Sequence, residues 1–312
     1  MPKRPELHVV GDPHLGRQFV HGVPLHRRGE REKLVWAHFQ RELMVPADVH
    51  VCLGDLFDKA VVSYDTIVNA AMLYIQVATQ NPDIQYFVLR GNHDISKDLT
   101  RRSAFDVFSM LVRVCENIHV VTDQIVQYRT FAFAGYNVEK VELPDTIRAH
   151  TLFGHYDVDD YGGDNHNLVP TERAAELGIK RIITGHVHKP RTFERHKVEV
   201  VVHGSLEPYA HGEEIDDSLY VTLTPEELAL KDPAYLRDRC VRVLGLPGMD
   251  VDCLQLAVKR PETVKSDLPP VEFSSFNIED MFKEAFSEAG VSATLQEQIL
   301  TDYRMRRMGG DS

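Results

Sequence analysis

The stretch LHVVGDPH at residues 7–14 sets the pattern from which the fold of this chain follows. A short apolar run, Leu7–Val10, ends at Gly11-Asp12, and His14 comes two residues later. Such a run, bounded by glycine, predicts a β-strand. Four further apolar runs end in the same manner, in GDLFD at residues 54–58, GNHD at 91–94, GHYD at 154–157 and GHVH at 185–188. Because open α/β sheets bind ligands at the carboxyl ends of their strands, these five motifs predict one common site.

The five motifs share a residue chemistry that suits metal ions. Each begins with glycine, which lets the backbone turn sharply and approach a bound group closely. Each then presents aspartate, asparagine or histidine, the oxygen and imidazole ligands suited to manganese, iron or zinc. Asp12 with His14, and His186 with His188, are two residues apart and would point to the same side of an extended segment. A single histidine after a strand is more often a surface or core residue, but five such motifs are hard to explain by packing, because buried polar groups cost free energy unless satisfied.

The remaining pattern of the chain predicts an α/β protein. Apolar runs alternate with helical periodicity, which indicates βαβ units and a mainly parallel sheet, and the denser strands near residues 118–136 and 198–223 indicate a second, more mixed sheet. The predicted strands are Leu7–Val10, Val49–Leu53, Ile84–Leu89, Ile118–Val121, Phe131–Gly135, His150–Phe153, Arg181–Thr184, Val198–Val202 and Leu219–Leu223. The predicted helices are Glu30–Met44, Asp65–Thr79, Ser103–Val114 and Thr171–Leu177.

The composition excludes several classes of protein. The chain has 312 residues, 43% hydrophobic and 26% charged, which are ordinary values for a soluble globular protein. Its net charge of −12 argues against a protein that coats nucleic acid through bulk positive charge. The four cysteines form no CxxC pair, which predicts reduced thiols in an intracellular protein. The apolar stretch Val61–Ala78 carries Asp65 and Asn69. Its apolar positions follow helical spacing, so it predicts an amphipathic helix and no membrane span; they are Ile67, Ala71, Tyr74, Ile75 and Ala78.

The pattern changes after about residue 230, which predicts three parts. Residues 1–232 would form the main domain, 233–265 a small β unit containing Cys240–Leu244 and Cys253–Val258, and 266–312 a linker followed by a helix pair. One helix of the pair has an apolar face formed by Ile278, Met281, Phe282 and Phe286. Two interpretations stay open, since this face either packs on its own domain or docks into a groove of a partner.

The order GDxH, GDxxD, GNHD, GHxx and GHxH resembles the calcineurin-like metallophosphoesterases over residues 8 to about 190. The resemblance implies a two-sheet sandwich flanked by helices, with two divalent metal ions at one edge. It implies that the first metal is held by Asp12, His14 and His188, the second by Asn92, His155 and His186, and both by a bridging Asp55. It assigns His93 no metal and implies that this residue contacts the phosphate or protonates the leaving oxygen.

The charges and pKa values of these residues suit phosphoester hydrolysis. Only two of the implied ligands, Asp12 and Asp55, are carboxylates, so two divalent ions and a bridging hydroxide leave a balance of about +1 that attracts phosphate. His93 suits general-acid work because its unperturbed pKa is about 6.5. Asp94 would orient His93 or, alternatively, cap the loop. Manganese is the expected metal, with magnesium, iron or zinc as alternatives.

The segment GSLEPYAHGE at residues 204–213 is similar to the GS-x-E-x-x-x-x-GE segment of the SbcD-type double-strand-break-repair nucleases. The β unit and the tail also stand where those nucleases carry a DNA-capping domain and bind an SMC-like ATPase. This resemblance implies a 3′–5′ exonuclease and single-strand endonuclease acting in DNA recombination and repair. It further implies a homodimer within a heterotetramer, in the cytoplasm of a bacterium or a phage-infected cell. The alternatives are a nucleotide or other small-molecule phosphodiesterase or phosphatase, and a non-catalytic scaffold.

Basic residues trail three of the metal motifs and are candidates for contact with DNA. Each is either part of a rim around the site or an ordinary solvated side chain. They are Arg17, Arg27, Arg28 and Arg31 after the first motif, Lys97, Arg101 and Arg102 after GNHD, and Lys189, Arg191, Arg195 and Lys197 after GHVH.

Overall fold

A computed structural model describes residues 6–98, 100–137, 142–158, 167–213, 218–259, 282, 285–286 and 291–308. The chain divides into two compact units, residues 1–260 and 261–312, which are described separately below.

The first sheet of the larger unit consists of four parallel strands in their sequence order. They are β1 (Leu7–Val10), β2 (Val49–Cys52), β3 (Gln85–Leu89) and β4 (Ile118–Val121). The helices between successive strands are α1 (Glu30–Leu43), α2 (Tyr64–Gln80) and α3 (Ala104–Val112). Ser63 and Ser103 cap α2 and α3 through their side chains. The predicted βαβ pattern is therefore confirmed.

The second sheet has six strands in the order β5-β6-β7-β8-β10-β9 and mixed direction. Its strands are β5 (Val126–Tyr128), β6 (Phe131–Phe133), β7 (Thr151–Gly154), β8 (Arg181–Thr184), β9 (Arg191–Arg195) and β10 (Val198–Val202), and α4 (Thr171–Glu176) lies between β7 and β8 in the chain. The short edge strands β5 and β9 were not predicted. Residues 118–121 were predicted to belong to this second sheet, because strands are dense near residues 118–136. They instead form the edge of the first sheet, because β4 pairs with β3.

An aromatic and aliphatic layer joins the two sheets. Phe87 of β3 stacks on Phe133 of β6 with ring centroids 3.9 Å apart, and Phe133 stacks on Phe153 of β7 at 5.1 Å. All three side chains are buried. The predicted two-sheet sandwich is thus confirmed. One continuous core supports the strands whose ends carry the motifs.

A third, three-stranded parallel sheet completes the larger unit. It consists of β11 (Tyr220–Leu223), β12 (Cys240–Leu244) and β13 (Gln255–Lys259), with α5 (Pro225–Leu230) and α6 (Pro233–Arg237) between the first two strands. The strands of the predicted small β unit, β12 and β13, therefore belong to the same sheet as β11. β11 lies before residue 232, where the predicted main domain ends. The three-part division itself stays a prediction.

The smaller unit contains α7 (Ala293–Met308), and the carbonyl of Ser292 accepts hydrogen bonds from the N–H groups of Leu295 and Gln296 at its start. Of the predicted docking residues, Phe282 and Phe286 have helical backbone and stack at 5.8 Å, whereas Ile278 and Met281 lie outside the described residues. Within the described residues, no helix is both long and apolar enough to cross a membrane.

Candidate metal centre

The five motifs do lie at strand ends, but three of them contain a residue whose backbone is left-handed and not extended. His14, Asp55 and His186 have positive φ values of 46°, 47° and 76°. Such values are uncommon for residues other than glycine and concentrate at functional sites. Asp12 and His14, and likewise His186 and His188, were expected to converge because their segments are extended. That reason was wrong, because the backbone at His14 and His186 is left-handed. The convergence comes from sharp left-handed turns directly after β1, β2 and β8.

Glycine is required where two of these turns approach each other. A Cβ atom on Gly91 would collide with the backbone and carboxylate of Asp55, and one on Gly185 would collide with the carboxylate of Asp12. The glycines that open these motifs therefore make room for the functional groups of neighbouring motifs.

A first cluster consists of Asp12, His14 and His188. The Nε2 atoms of the two histidines are 3.0 Å apart, and Nε2 of His188 lies 3.9 Å from Oδ2 of Asp12. Asp12 and His14 are fully buried, and the backbone N–H of His186 donates to Oδ2 of Asp12. The three donor atoms lie close enough to share one metal ion.

A second cluster consists of Asp55, His155 and His186, with Asn92 among them. The Asn92 Oδ1 atom lies 2.9 Å from both His155 Nε2 and His186 Nδ1, and Asp55 Oδ2 lies 3.5 Å from His155 Nε2. Asp55 Oδ2 is also 3.7 Å from His14 Nε2 of the first cluster. Asp55 therefore stands between the two clusters, as the implied bridging role requires.

The electrostatics of the site keep two of the candidate histidine ligands neutral and favour the protonated form of a third. Burial lowers the pKa of His14 and of His186 to about 3, so both are neutral at physiological pH. Burial alone would lower the pKa of His155, but the carboxylates of Asp55 and Asp12 outweigh it and raise that pKa to about 9. Burial raises the pKa of Asp12 to about 6. Burial would also raise the pKa of Asp55, but His155 and His14 hold that pKa well below its usual range.

The donor set fits divalent metal ions. Asp12 Oδ1 is buried and has no hydrogen-bond partner among the described residues. A buried carboxylate oxygen without a donor is costly, and imidazole nitrogens lie 2.9–3.0 Å from one another or from the Asn92 Oδ1 atom. Cations placed between these groups would satisfy them, and mixed nitrogen and oxygen ligands suit manganese, iron or zinc.

His93 and Asp94 are not arranged as a directly bonded pair. His93 Nδ1 donates to the backbone carbonyl of Asp58 at 2.6 Å, which fixes its tautomer, and Nε2 makes no hydrogen bond to the described residues. The buried Asp94 carboxylate instead accepts from the backbone N–H groups of Gly91, Leu56 and Phe57 at 2.8–3.2 Å. Asp94 thus joins the GNHD and GDLFD loops, as in the loop-cap alternative, and the Asp58 carbonyl orients His93.

Two residues of the GSLEPYAHGE segment also belong to the site. Glu213 Oε2 lies 3.2 Å from His188 Nδ1 and accepts from the backbone N–H of Tyr209 at 2.8 Å. The buried Tyr209 hydroxyl donates to the carbonyl of Pro13, and its ring packs edge-on against His14 at 5.2 Å. The sequence marked this segment as a resemblance but contained no signal for these contacts, which depend on two distant parts of the chain.

We expect Glu213→Gln to weaken metal binding by about 10–100-fold, because a carboxylate on the far nitrogen of a ligating histidine fixes its orientation and raises its basicity. Isothermal titration of the metal-free protein with Mn²⁺ measures this. The matched control is Glu199→Gln in β10, which alters an exposed ion pair with Arg181 of β8. It should bind Mn²⁺ with the affinity of the wild type. Equal affinity in both variants would remove Glu213 from the site.

Two of the basic residues considered for DNA contact are buried in ion pairs. Arg27 is only 6% exposed, and its guanidinium contacts Glu30 at 2.8 Å and Asp252 at 3.6 Å. Arg31 is 1% exposed and pairs with Glu207 at 2.7 Å. The expectation for Arg27 as a DNA contact is therefore not supported, because binding DNA would require it to leave these carboxylates.

The other basic residues are accessible to different degrees. Arg17 is partly exposed, lines a cleft together with His14 and His93, and donates to Asp58 at 3.3 Å. Arg101 is exposed and pairs with Asp98. The exposed or partly exposed candidates are Arg17, Arg28, Lys97, Arg101, Arg102, Lys189, Arg191, Arg195 and Lys197.

Comparison with known families agrees with this geometry. The model of the calcineurin-like phosphoesterase family matches residues 6–190, which contain all five motifs and both clusters. The chain belongs to the calcineurin-like phosphoesterase family. As a member of this family it is a metal-dependent hydrolase that binds divalent ions, for which Asp12, Asp55 and their partner histidines are the candidate ligands.

The other two comparisons add little detail for this calcineurin-like phosphoesterase. The crystal structure of TT1561 of Thermus thermophilus is similar at 11% sequence identity with a TM-score of 0.41, over 65% of this chain and 90% of that one. No curated protein matches the chain.

Proposed function

We propose that this phosphoesterase is a DNA nuclease that hydrolyses phosphodiester bonds, with manganese as its metal. The observation that carries the hydrolytic part is the pair of ligand clusters with Asp55 between them, beside an accessible His93. The proposed setting is DNA recombination and double-strand-break repair in the cytoplasm of a bacterium or phage-infected cell. The proposed activities are 3′–5′ exonuclease and single-strand endonuclease.

The described side chains divide the work of this reaction among them. Two divalent ions, when bound, would supply Lewis-acid charge and an activated water. Asp12, Asp55 and the ligating histidines fix the position of that charge. His93, held through Nδ1 by the Asp58 carbonyl, would act as an imidazolium and give its Nε2 proton to the leaving oxygen. Arg17 lines the cleft beside these groups and donates to the Asp58 carboxylate at 3.3 Å.

The GSLEPYAHGE segment supports the nuclease over other members of the family. Its resemblance to the SbcD-type nucleases extends to residues that contact the site, since Glu213 orients His188 and Tyr209 packs on His14. Glu207 of the same segment binds the buried Arg31. The segment therefore serves as a wall of the site.

A nucleotide or small-molecule phosphodiesterase is the second candidate. It is favoured by the burial of Arg27 and Arg31, which leaves fewer basic side chains for a long DNA backbone than the sequence suggested. A small phosphoester needs only the local charge of the metal centre.

Parallel assays with linear DNA and a chromogenic phosphodiester separate these candidates. The protein is incubated with Mn²⁺ and each substrate, and chelator-treated protein is the control. The nuclease proposal expects metal-dependent loss of labelled DNA. Fast turnover of the small ester without loss of DNA would overturn the proposal in favour of the second candidate, and turnover of neither would favour the scaffold alternative.

We further propose that the chain forms a homodimer through an exposed apolar stripe on α2. The stripe consists of Tyr64, Val68 and Met72, which are 84%, 48% and 59% exposed and follow one another at four-residue spacing. Residues 66–80 contain no charged side chain, although a solvent-facing helix normally carries one charged face. An apolar stripe is self-complementary, as a two-fold interface requires.

We expect Met72→Glu to raise the dimer dissociation constant at least about tenfold, since a two-fold contact would bring two buried carboxylates together. Sedimentation velocity over a range of protein concentrations measures this. Gln40→Glu on the exposed side of α1 adds the same charge and is the control, for which no change is expected. A monomeric wild type would contradict the proposal.

The proposed second partner is an SMC-like ATPase bound by the C-terminal tail. The proposal rests on the resemblance to the SbcD-type nucleases and on the predicted apolar face, of which Phe282 and Phe286 stack on one another and Phe286 is buried. Deletion of residues 271–312 should abolish co-purification with the ATPase and leave metal binding unchanged. Unchanged co-purification would refute this role for the tail.

A further inference from the structure

A cleft beside the metal centre has an apolar wall that the hydrolytic chemistry does not use. The cleft has a volume of about 850 Å³, and its lining includes His14 and His93, so it opens directly on the site. This volume lies within the range of about 300–1,000 Å³ that is typical of small-ligand sites.

The apolar wall is built around the side chain of Trp36. Trp36 belongs to α1, is partly buried against the helical core and lines the cleft next to Phe19 and Val35. Its ring packs edge-on against Phe39 with centroids 6.4 Å apart, which holds it in place. Val61, which follows the GDLFD motif in the chain, also lines the cleft and is 80% exposed. The wall therefore presents fixed aromatic and aliphatic surface to whatever enters.

The charged side chains of the cleft balance one another. Arg17 and Lys59 supply two positive charges, and Glu32 and Asp58 supply two negative ones. Arg17 lies 3.3 Å and Lys59 lies 4.0 Å from the Asp58 carboxylate. The walls thus offer no net charge for an additional phosphate, and the attraction for phosphate resides in the metal centre. A neutral, flat group with apolar faces is the best match to the remaining space.

We infer that this cleft binds the nucleobase of the nucleotide whose phosphate is hydrolysed, with Trp36 as its aromatic contact. The inference rests on the proposed function, since it takes the phosphoester to be a nucleotide. A nucleobase is neutral and planar, and contact with an aromatic side chain tolerates any base because each has a π-face. A phosphorylated serine or threonine side chain has no flat group to fill this space.

Fluorescence of Trp36 tests the inference without turnover, because Trp36 is the only tryptophan in the chain. The full-length protein with Mn²⁺ is titrated with dAMP, dTMP, deoxyribose 5-phosphate and inorganic phosphate, and free N-acetyltryptophanamide corrects for absorption by the bases. Saturable quenching by both nucleotides, and none by the two phosphates without a base, is expected. Equal responses to all four, or no saturable response, would overturn the inference.

Kinetics with matched substrates provide the second arm. Trp36→Ala should raise KM for oligothymidylate about tenfold, as expected for the loss of one base–aromatic contact, and leave kcat within about twofold. It should not change KM for an oligomer of the same length that carries a tetrahydrofuran abasic analogue at every position. Trp36→Phe keeps an aromatic ring and controls for folding, so its KM should stay within about threefold of the wild type.

The two arms separate failure of the inference from failure of the proposed function. Nucleotide quenching of Trp36 without any hydrolysis of DNA would support the base cleft and refute the nuclease. Hydrolysis of oligothymidylate with the same KM by wild type and Trp36→Ala would support the nuclease and refute the base cleft.

Discussion

Replacing His93 by alanine will lower kcat for phosphodiester hydrolysis by about 10²–10⁴-fold and leave the bound metal unchanged. The loss is that of a positioned general acid. The fold should tolerate the change, because the side chain is exposed and the hydrogen bond to Asp55 Oδ1 comes from the His93 backbone N–H, which alanine retains. Steady-state kinetics and elemental analysis of the same preparation measure the two quantities.

The metal content decides between two roles for His93. Its ring also lies in a cluster with His14 and Asp55 whose donor atoms are within 4.8 Å of one another, so the geometry allows it to be a ligand. Loss of one metal equivalent from the variant would show that it is a ligand and not the proton donor. His26→Ala, at a 75% exposed histidine, is the control and should keep both activity and metal.

Replacing Arg31 by alanine will lower the free energy of unfolding by about 3–5 kcal/mol, the usual cost of removing one partner of a buried ion pair. Arg31 is 1% exposed and bonds Glu207 at 2.7 Å and the carbonyl of Pro208 at 3.2 Å. Its guanidinium also lies 4.7 Å from the ring centroid of Phe19. The change would leave Glu207 without its main partner and open a cavity between α1 and the GSLEPYAHGE segment.

Urea unfolding of the variant measures this effect. Arg101→Ala is the control, because Arg101 pairs with Asp98 on the surface and is 81% exposed, so its removal should cost no more than about 1 kcal/mol. Equal and small effects in both variants would show that Arg31 is not a structural ion-pair residue.

The sequence predicted that these aspartate and histidine side chains would cluster, because local signals define their positions. Glycine followed by aspartate, asparagine or histidine after an apolar run depends on a few neighbouring residues only. Parallel strands then bring such turns to one edge, whatever the connecting helices do. The reason given for the convergence of Asp12 and His14 was nevertheless wrong, since the left-handed backbone of His14 is set by the tertiary structure and not by strand geometry.

Contacts between distant parts of the chain were not predictable from one sequence. Nothing near Asp58 indicates that its carbonyl would orient His93, or near Glu213 that its carboxylate would reach His188. Burial of charge is equally hidden, because Arg27 and Arg31 are indistinguishable in sequence from the exposed Arg28. The pairing of β11 with β12 was missed for the same reason, since strand partners are chosen by long-range packing.

The metal stoichiometry shows whether the two clusters joined by Asp55 form one dinuclear centre. Metal-free protein is equilibrated with Mn²⁺, freed of excess ion and analysed for manganese per chain, and its electron paramagnetic resonance spectrum is recorded. We predict two manganese ions per chain with a magnetically coupled spectrum, because Asp55 lies between both clusters. One manganese ion per chain, or two that are magnetically independent, would contradict the dinuclear centre.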